Sequence, residues 1–410
     1  MEFKPQHLRA ARILHGEQWL NDAVLSIDEH GMIDAIEPYD AAQHRVVTDL
    51  GAVDLLPGLI DSHVHGAAGH DVMDATHEAL DGMSRFFSRY GVTAFVATTV
   101  SAPVPHIQRA LSQIARSCQH GTQGAQLLGA YLEGPFFSAQ HKGAHPEHCL
   151  HAPTIAELTQ WISDAAGHLR TVALAPELPG ALECIRYLKA QGIRVMLGHS
   201  DATYEQVSTA LHAGADGVVH CYNGMRGLHH REPGVVGAAL TTPGCYTEII
   251  ADGHHVHPAA LQVAYCCCQQ HLLPITDAMR ATGMPDGRYR LGEYEVTVQD
   301  GVAMTDSGSL AGSTLTLLSA VNHLRQWLGL SAEEAWLLAS RTPARLLGLD
   351  NQMGTLEAGK RASLVAVTGL ANHADTTSAP QIPFSVLKTW VNGRLVFDTD
   401  SAPVREALCI

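Results

Sequence analysis

Positive charge is scarce in this chain of 410 residues, and charged side chains of either sign make up only 16%. Lys and Arg number 26 against 41 Asp and Glu, which gives a formal net charge of −15. This balance argues against a nucleic-acid partner, because the phosphate backbone is bound mainly through Lys and Arg. An anionic ligand would have to be captured by a few local donors, against the overall field.

Long apolar runs are also missing. No uninterrupted apolar stretch reaches the roughly 18 residues that a membrane-spanning helix needs. The first residues, MEFKPQHLRAARILHG, contain neither the apolar core nor the cleavage site of a signal peptide. We therefore expect a cytoplasmic protein with no membrane partner. Hydrophobic residues still account for 46% of the chain, which is enough for a large core.

Both chain ends are rich in β-type segments. Residues 23–27 and 32–36 are β-type runs joined by Asp-Glu-His-Gly, and residues 362–367 form a compact apolar run. The segments 386–391 and 394–397 flank Asn-Gly, the strongest short hairpin signal. We expect residues 1–56 and 350–410 to form one small β-sandwich domain.

Between the ends, apolar strands alternate with amphipathic stretches at 78–90, 155–166, 181–191 and 204–213. This alternation predicts an α/β fold, a TIM-like (β/α)₈ barrel over residues 57–349, with a helical stretch at 313–347 packed outside it. A doubly wound open sheet is the alternative. The predicted strands end near His63, Thr99, Glu133, Pro176, His199, Asn223, His255 and Asp277.

Residues with metal-binding chemistry occur where these strands end. His63 and His65 lie on one face of a strand because they are two positions apart, yet such a pair alone is a weak signal. Glu133 ends an apolar run, where a carboxylate needs a positive partner; taken alone, a helix cap or a surface salt bridge is the simpler interpretation. His199 and His220 each follow an apolar strand, where a lone histidine is more often a satisfied core residue.

Asp277 ends the eighth predicted strand, and alone it is best explained as the N-cap of a following helix. The combination changes these interpretations, since side chains at the carboxyl ends of barrel strands point into one mouth. Strands one, three, five, six and eight would supply His-x-His, Glu, His, His and Asp to one site. Neutral imidazole and carboxylate are the usual ligands of hydrolytic zinc sites, so we predict a metal centre here.

This order of residues resembles the amidohydrolase superfamily. More narrowly, N-acetylglucosamine-6-phosphate deacetylases are similar to this chain in the segments LEGPF, GAHPEH, LGHSDAT, HCYNGM, REPG, ADGHHV, ITDAM and GSLAGSTLT. The N-acetylgalactosamine-6-phosphate deacetylase branch is most similar in NGMRGLHHREPG, ADGHHVHPAA and DAMRATGMPDGRY. The resemblance covers nearly the whole chain.

The resemblance implies roles for the matching residues. Asp277 corresponds to the catalytic acid/base, and His145 to a histidine near the acyl group. The ligands of the metal that all members use correspond to Glu133, His199 and His220. A second-metal pair that only some members keep corresponds to His63 and His65. The expected cofactor is one or two divalent ions, with zinc favoured and Fe, Mn or Co as alternatives.

The implied activity is metal-dependent deacetylation of an N-acetylhexosamine 6-phosphate, of the galacto or the gluco series, in amino-sugar catabolism. Family members are commonly homodimers, so a partner subunit can supply phosphate contacts. Residues expected to contact the sugar phosphate are Ala144, Asn223, Gly224, Arg231, His255, Leu310, Ala311 and Gly312.

Two other functions remain open. A different amidohydrolase, acting on a cyclic amide or as a deaminase, would keep the metal residues and lack the phosphate motifs REPG and ADGHH. A non-catalytic sugar-phosphate-binding protein would be expected to have lost Asp277 or a metal ligand, and both are kept.

Overall fold

The computed structural model describes residues 4–368 and 383–400. Two eight-stranded sheets dominate the described chain. One sheet is parallel and forms the barrel, and the other joins segments from both chain ends.

The amino-terminal strands open the terminal sheet. The hairpin predicted at 23–27 and 32–36 is confirmed, and its turn is held by Asp28, whose Oδ1 accepts hydrogen bonds from the backbone N–H groups of His30 (2.9 Å) and Met32 (2.8 Å). The strands are β1 (Gln6–His15), β2 (Gln18–Ile27), β3 (Ile33–Pro38), β4 (Thr48–Asp49) and β5 (Val53–Pro57).

The barrel is built from eight parallel strands that neighbour one another in chain order. Chain order without reversal is what a barrel requires, so the barrel prediction is confirmed and the doubly wound alternative is wrong. A short ribbon, β7 (Gly66–Ala67) with β8 (His70–Asp71), interrupts the strand series. The barrel strands are β6 (Leu59–Val64), β9 (Val92–Thr98), β10 (Gln126–Glu133), β11 (Leu169–Leu174), β12 (Arg194–Leu197), β13 (Gly217–Val218), β14 (Tyr246–Ile250) and β15 (Leu272–Ile275).

The first and last barrel strands meet at a seam next to the predicted site. An isolated bridge pairs Val64, the last residue of β6, with Ala278, which lies three residues beyond β15. The backbone N–H of Asp277 donates to the carbonyl of His63 at 3.0 Å, and that of His65 donates to the carbonyl of Ala278 at 2.9 Å. Barrel closure therefore occurs at the residues predicted to bind metal.

Amphipathic helices cover the barrel, and the four predicted helical stretches are confirmed to within a few residues. Their apolar faces are buried; in the second helix, for example, Ile107, Leu111 and Ile114 are fully buried. The helices are α1 (His77–Ser88), α2 (Val104–His120), α3 (Ile155–Asp164), α4 (Ala181–Ala190), α5 (Tyr204–Ala213), α6 (Gly234–Thr241) and α7 (Pro258–Cys268).

Two barrel strands end about five residues earlier than predicted. After β13, His220 (φ 22°) and Tyr222 (φ 81°) adopt left-handed backbone angles, which an extended strand cannot contain. After β14, the Asp252 carboxylate accepts hydrogen bonds from the backbone N–H groups of His254 and His255, both at 2.8 Å, and turns the chain. Residues expected at strand tips therefore lie in loops over the barrel mouth.

A further difference lies between residues 287 and 305. Instead of continuing into a helix, the chain forms a three-stranded antiparallel sheet of β16 (Gly287–Leu291), β17 (Tyr294–Gln299) and β18 (Val302–Thr305). Asp300-Gly301 forms one of its turns. An Asp-Gly pair between two segments of alternating apolar and polar residues is a hairpin signal, so this turn could have been predicted from the sequence.

The helical stretch predicted at 313–347 is three helices, α8 (Leu317–Leu328), α9 (Ala332–Leu338) and α10 (Arg341–Leu347). Gly329 ends the first at φ 67°, and the Ser331 side chain caps the second. All three contact β15, and α8 and α10 also contact β6, so they pack outside the barrel as predicted.

The carboxyl-terminal strands complete the terminal sheet, in the order β21-β20-β19-β5-β1-β2-β3. β20 (Val386–Val391) and β21 (Arg394–Asp398) flank the predicted Asn392-Gly393 turn, and β19 (Leu364–Thr368) pairs with β5. Both chain ends thus share one sheet with its own apolar cluster. The division at residues 56 and 350 stays a prediction, and its segments 1–3, 369–382 and 401–410 lie outside the described residues. Within the described residues, no helix has both the length and the apolar character needed to cross a membrane.

Candidate active site

The carboxyl end of the barrel gathers the predicted metal ligands around one carboxylate. Glu133, the last residue of β10, lies among histidines from β6 and from the loops after β12 and β13, and Asp277 follows β15. All of them are buried, with at most 8% exposure. The structure therefore brings together Glu133, His63, His65, His199, His220 and Asp277.

Glu133, His199 and His220 form one triangle of donor atoms. The two imidazole Nε2 atoms are 3.1 Å apart, and Glu133 Oε1 lies 3.2 Å from His220 Nε2 and 3.5 Å from His199 Nε2. Ligands held 2.0–2.1 Å from a tetrahedral zinc ion are separated by about 3.3 Å. These three side chains thus have the spacing of a metal ligand set.

His63, His65 and Asp277 form a second triangle of the same size. The Nε2 atoms of the two histidines are 3.4 Å apart, and Asp277 Oδ1 lies 3.1 Å from His65 Nε2 and 3.6 Å from His63 Nε2. Glu133 joins the two triangles, because its other oxygen, Oε2, is 3.1 Å from His65 Nε2. Glu133 therefore lies between the two triangles of donor atoms.

Backbone carbonyls orient three of the four histidines. Each of the three directs Nδ1 at a carbonyl oxygen, so Nδ1 carries the proton and Nε2 is left with a free lone pair. This is the arrangement that metal-binding histidines need. The Nδ1 contacts are His65 to Thr98 at 3.1 Å, His199 to His141 at 2.8 Å and His220 to Asn223 at 3.1 Å.

His145 has the opposite orientation of its ring protons. Its Nδ1 accepts a hydrogen bond from the backbone N–H of Ser101 at 3.2 Å, and the Ser101 hydroxyl lies 2.8 Å away. Nε2 must then carry the proton of the neutral ring, so this atom, 3.6 Å from Glu133 Oε2, is a hydrogen-bond donor rather than a ligand. Burial and the neighbouring His199 lower the pKa of His145 well below its usual range, which keeps the ring neutral.

The electrostatics of the site favour a bound cation. Although burial raises the pKa of Glu133, the positive charge that His63 can carry and the close contacts with His199 and His220 hold that pKa well below its usual range. Burial also raises the pKa of Asp277, but the close contact with His65 and the positive charge that His63 and His65 can carry lower it to about 2. Both carboxylates are therefore ionised at neutral pH, in a buried place where negative charge needs compensation.

Backbone strain accompanies three of these side chains. His199 (φ 47°), His220 (φ 22°) and Asp277 (φ 49°) all adopt left-handed backbone angles that non-glycine residues rarely occupy. Two glycines, Gly143 and Gly224, leave room for the His199 ring, since an added Cβ would lie 3.3 and 3.0 Å from it. The chain thus accepts strain to aim donors into the barrel mouth, as functional sites often do.

The two simpler interpretations of single residues are wrong. Glu133 is 2% exposed and surrounded by histidines, so it is neither a helix cap nor part of a surface salt bridge. Asp277 caps no helix, because the next helix begins at Leu317.

A cavity of about 420 Å³ opens above these donors. Six of the eight residues predicted to contact the sugar phosphate line it: Ala144, Asn223, Gly224, His255, Leu310 and Gly312. Ala311 does not line the cavity and is fully buried in an apolar cluster with Val100 and Leu291. Arg231 is exposed on the loop before α6, with Nη1 2.8 Å from His230 Nε2, and does not line the cavity.

Several cavity residues were missed by the sequence analysis. The three-stranded sheet contributes Leu291 at the end of β16, which explains why a wall of the cavity was not foreseen. Glu248, in the middle of β14, does not line the cavity but contacts His63, and it was also not predicted, although a carboxylate inside an apolar strand is a usable signal. The other unpredicted lining residues are Val100, Gly143, Ile250, Gly308 and Ser309.

Comparisons with known proteins agree with this architecture. The amidohydrolase family matches residues 55–396. An N-acetylglucosamine-6-phosphate deacetylase of Vibrio furnissii is 60% identical over 402 residues, covering 98% of each chain. An N-acetylgalactosamine-6-phosphate deacetylase of Escherichia coli O157:H7 is 53% identical over 360 residues, covering 88% of this chain and 94% of that protein.

A solved structure of similar fold is N-acetyl-D-glucosamine-6-phosphate deacetylase from Mycobacterium smegmatis in complex with N-acetyl-D-glucosamine-6-phosphate. It superposes with a TM-score of 0.86 at 32% identity, covering 96% of this chain and 100% of that one. The resemblance seen in the motifs is thereby confirmed, and the relatives include enzymes named for either sugar series.

Proposed function

The chain belongs to the amidohydrolase family, within it to the N-acetylhexosamine-6-phosphate deacetylases, and we propose that it hydrolyses the acetamide of such a sugar phosphate. The products are acetate and a hexosamine 6-phosphate, as an amino-sugar catabolic step requires. The observation that carries this proposal is that two ligand triangles, one of which contains the ionised Asp277, lie at the floor of a cavity of about 420 Å³.

We propose that Glu133, His199 and His220 hold one divalent ion, and that His63, His65 and Asp277 hold a second. The convergent imidazole and carboxylate donors support zinc, with Fe, Mn or Co as alternatives. When bound, such an ion lowers the pKa of a coordinated water toward about 7 and polarises a carbonyl group.

The chain's own residues supply proton transfer and orientation. Asp277 accepts a proton from the attacking water and then delivers it to the sugar nitrogen, which must be protonated before the C–N bond breaks. The His145 Nε2–H donates a hydrogen bond to the acetamide oxygen as negative charge develops there. Atoms balance with one water consumed, and its oxygen leaves in acetate.

Phosphate recognition is assigned to His255 and Arg231. His255 lines the cavity, where the Asp252 carboxylate lies 2.6 Å from its Nδ1 and orients the ring. Arg231 is exposed and off the cavity, which supports a homodimer in which each protomer receives the partner's Arg231. The guanidinium fork suits phosphate oxygens and would offset the net charge of −15.

Subunit mixing tests the homodimer directly. Co-refolded Asp277→Asn and Arg231→Ala chains should give hybrid dimers in which one site has both residues, restoring activity to about a quarter of all sites. Mixtures no more active than the sum of the two parents would contradict the partner contribution.

Acetate release is the test of the proposed activity. The purified protein is incubated with N-acetylglucosamine 6-phosphate, N-acetylgalactosamine 6-phosphate and their unphosphorylated sugars in parallel, and free acetate is measured. We expect turnover of at least one phosphorylated sugar and little of the free sugars. Turnover of cyclic amides or deamination instead would favour another amidohydrolase, and binding without turnover would favour a sugar-phosphate-binding protein. A cytoplasmic location stays a prediction.

A further inference from the structure

A third carboxylate lies beneath the two ligand triangles. Glu248 points from β14 into the barrel, is fully buried, and places Oε2 3.0 Å from His63 Nδ1. Its other oxygen, Oε1, has no hydrogen-bond partner among the described residues. A buried carboxylate with one partner is costly, so its retention needs a compensating interaction.

His63 is distinguished from the other candidate ligands by this contact. The Nδ1 atoms of His65, His199 and His220 all face neutral backbone carbonyls, whereas that of His63 faces a side-chain carboxylate. An ionised carboxylate can only accept hydrogen bonds, so it requires the ring proton on Nδ1 and leaves Nε2 free to bind a metal. Its negative charge also makes the imidazole Nε2 a stronger electron-pair donor to a metal. The Glu248 contact therefore acts on the triangle of His63, His65 and Asp277, because Glu248 makes no such contact with His199 or His220.

We propose that Glu248 is a positioning residue that enables the second ion to bind at His63, His65 and Asp277. The inference rests on the proposed metal centre and adds the reason why that second set is competent in this chain. Glu248 holds the His63 ring in one tautomer and one orientation, with Nε2 3.4 Å from His65 Nε2. Its negative charge is compensated, through His63, by the ion.

Metal counting separates the two sites. Glu248→Gln keeps the size of the side chain, but its amide can donate to His63 Nδ1 and so stabilise the wrong tautomer. Loss of a group that orients a ligand typically lowers metal affinity by about 10- to 100-fold. We therefore expect wild-type protein to take up two zinc equivalents and Glu248→Gln to keep one tightly, with the second weakened by that factor in chelator competition.

Tyr131→Phe is the matched control. Its ring lies 4.7 Å from the His63 ring, and its hydroxyl has no hydrogen-bond partner among the described residues, so the variant removes a buried polar atom beside the same histidine without touching Glu248. It should bind both equivalents as wild type does. Glu248→Asp, which keeps the charge but is too short to reach Nδ1, should behave like Glu248→Gln.

Three outcomes would overturn the proposed role of Glu248. They are full second-site zinc affinity in Glu248→Gln, equal loss of both ions in that variant, and a wild-type protein that takes up a single zinc equivalent. If Glu248→Gln does not fold, Glu248→Asp carries the same test. Acetate release is scored separately: absent acetate with the expected zinc pattern refutes the proposed activity alone, and unchanged zinc binding with active enzyme refutes this inference alone.

Discussion

Asp277→Asn tests the proposed proton-transfer role of Asp277. Asparagine keeps the size of the side chain and an oxygen for the position 3.1 Å from His65 Nε2, but it cannot accept a proton. The pKa of Asp277 is lowered to about 2, so the wild-type carboxylate is ionised at neutral pH and has a lone pair that can accept a proton.

The expected loss of kcat in Asp277→Asn can be worked out from the groups that the substitution leaves unchanged. Glu133, His199 and His220 are unchanged, as is the His145 Nε2–H, so their contributions to binding and charge stabilisation persist. General acid–base catalysis alone contributes about 10²–10⁴-fold, which corresponds to about 2.7–5.5 kcal/mol of activation free energy. We expect kcat for acetate release to fall by that range while KM changes little.

The assay is steady-state acetate release at saturating sugar phosphate, with zinc content measured on the same sample. Metal content must be measured because Asp277 also belongs to the second ligand triangle. A folded variant with wild-type zinc and near wild-type kcat would refute the proton-transfer role. An N-cap role, for which Asn and Asp are equivalent, is already excluded because the next helix begins at Leu317.

The other predictions concern one residue each. His199→Ala should lose most of the first ion and activity together, and retention of full metal content and rate would contradict its ligand role. His145→Ala should keep both ions but lower kcat by about 10²–10³-fold, as loss of an oxyanion donor does; loss of metal instead would make it a ligand. Arg231→Ala should lower kcat/KM for the phosphorylated sugar by about 10- to 100-fold, through loss of about 1.5–3 kcal/mol, and leave the poor reaction of the free sugar unchanged. Equal losses for both sugars would argue against phosphate binding.

Features with a local signal could be predicted from the sequence. The apolar periodicity of α4 and α5 and the Asn392-Gly393 turn are encoded within a few neighbouring residues, and the structure has them where the pattern places them. The candidate metal ligands could be predicted because each lies at or just beyond the end of an apolar strand and because barrel geometry brings strand ends together.

Features that depend on distant partners could not be predicted. Glu248 contacts His63, which is 185 residues away in the chain, so nothing near Glu248 shows that the carboxylate is paired. The early ends of β13 and β14 depend on left-handed angles and on the Asp252 turn, which strand propensity does not show. The position of Arg231 off the cavity depends on loop geometry, which its sequence neighbours do not encode.

The proposed metal centre lies at the seam of the barrel, and this position has a mechanical consequence. His63 and His65 lie on one side of the seam and Asp277 on the other, joined by the backbone bonds between Asp277 and His63 and between His65 and Ala278. An ion held by all three side chains, as proposed, would cross-link the first and last strands in addition to these bonds and to the hydrogen bonds between Thr276 and Asp61. Chelation should therefore speed amide hydrogen exchange first in β6 and around residues 275–278, while β10 and β11 in the barrel wall keep their protection.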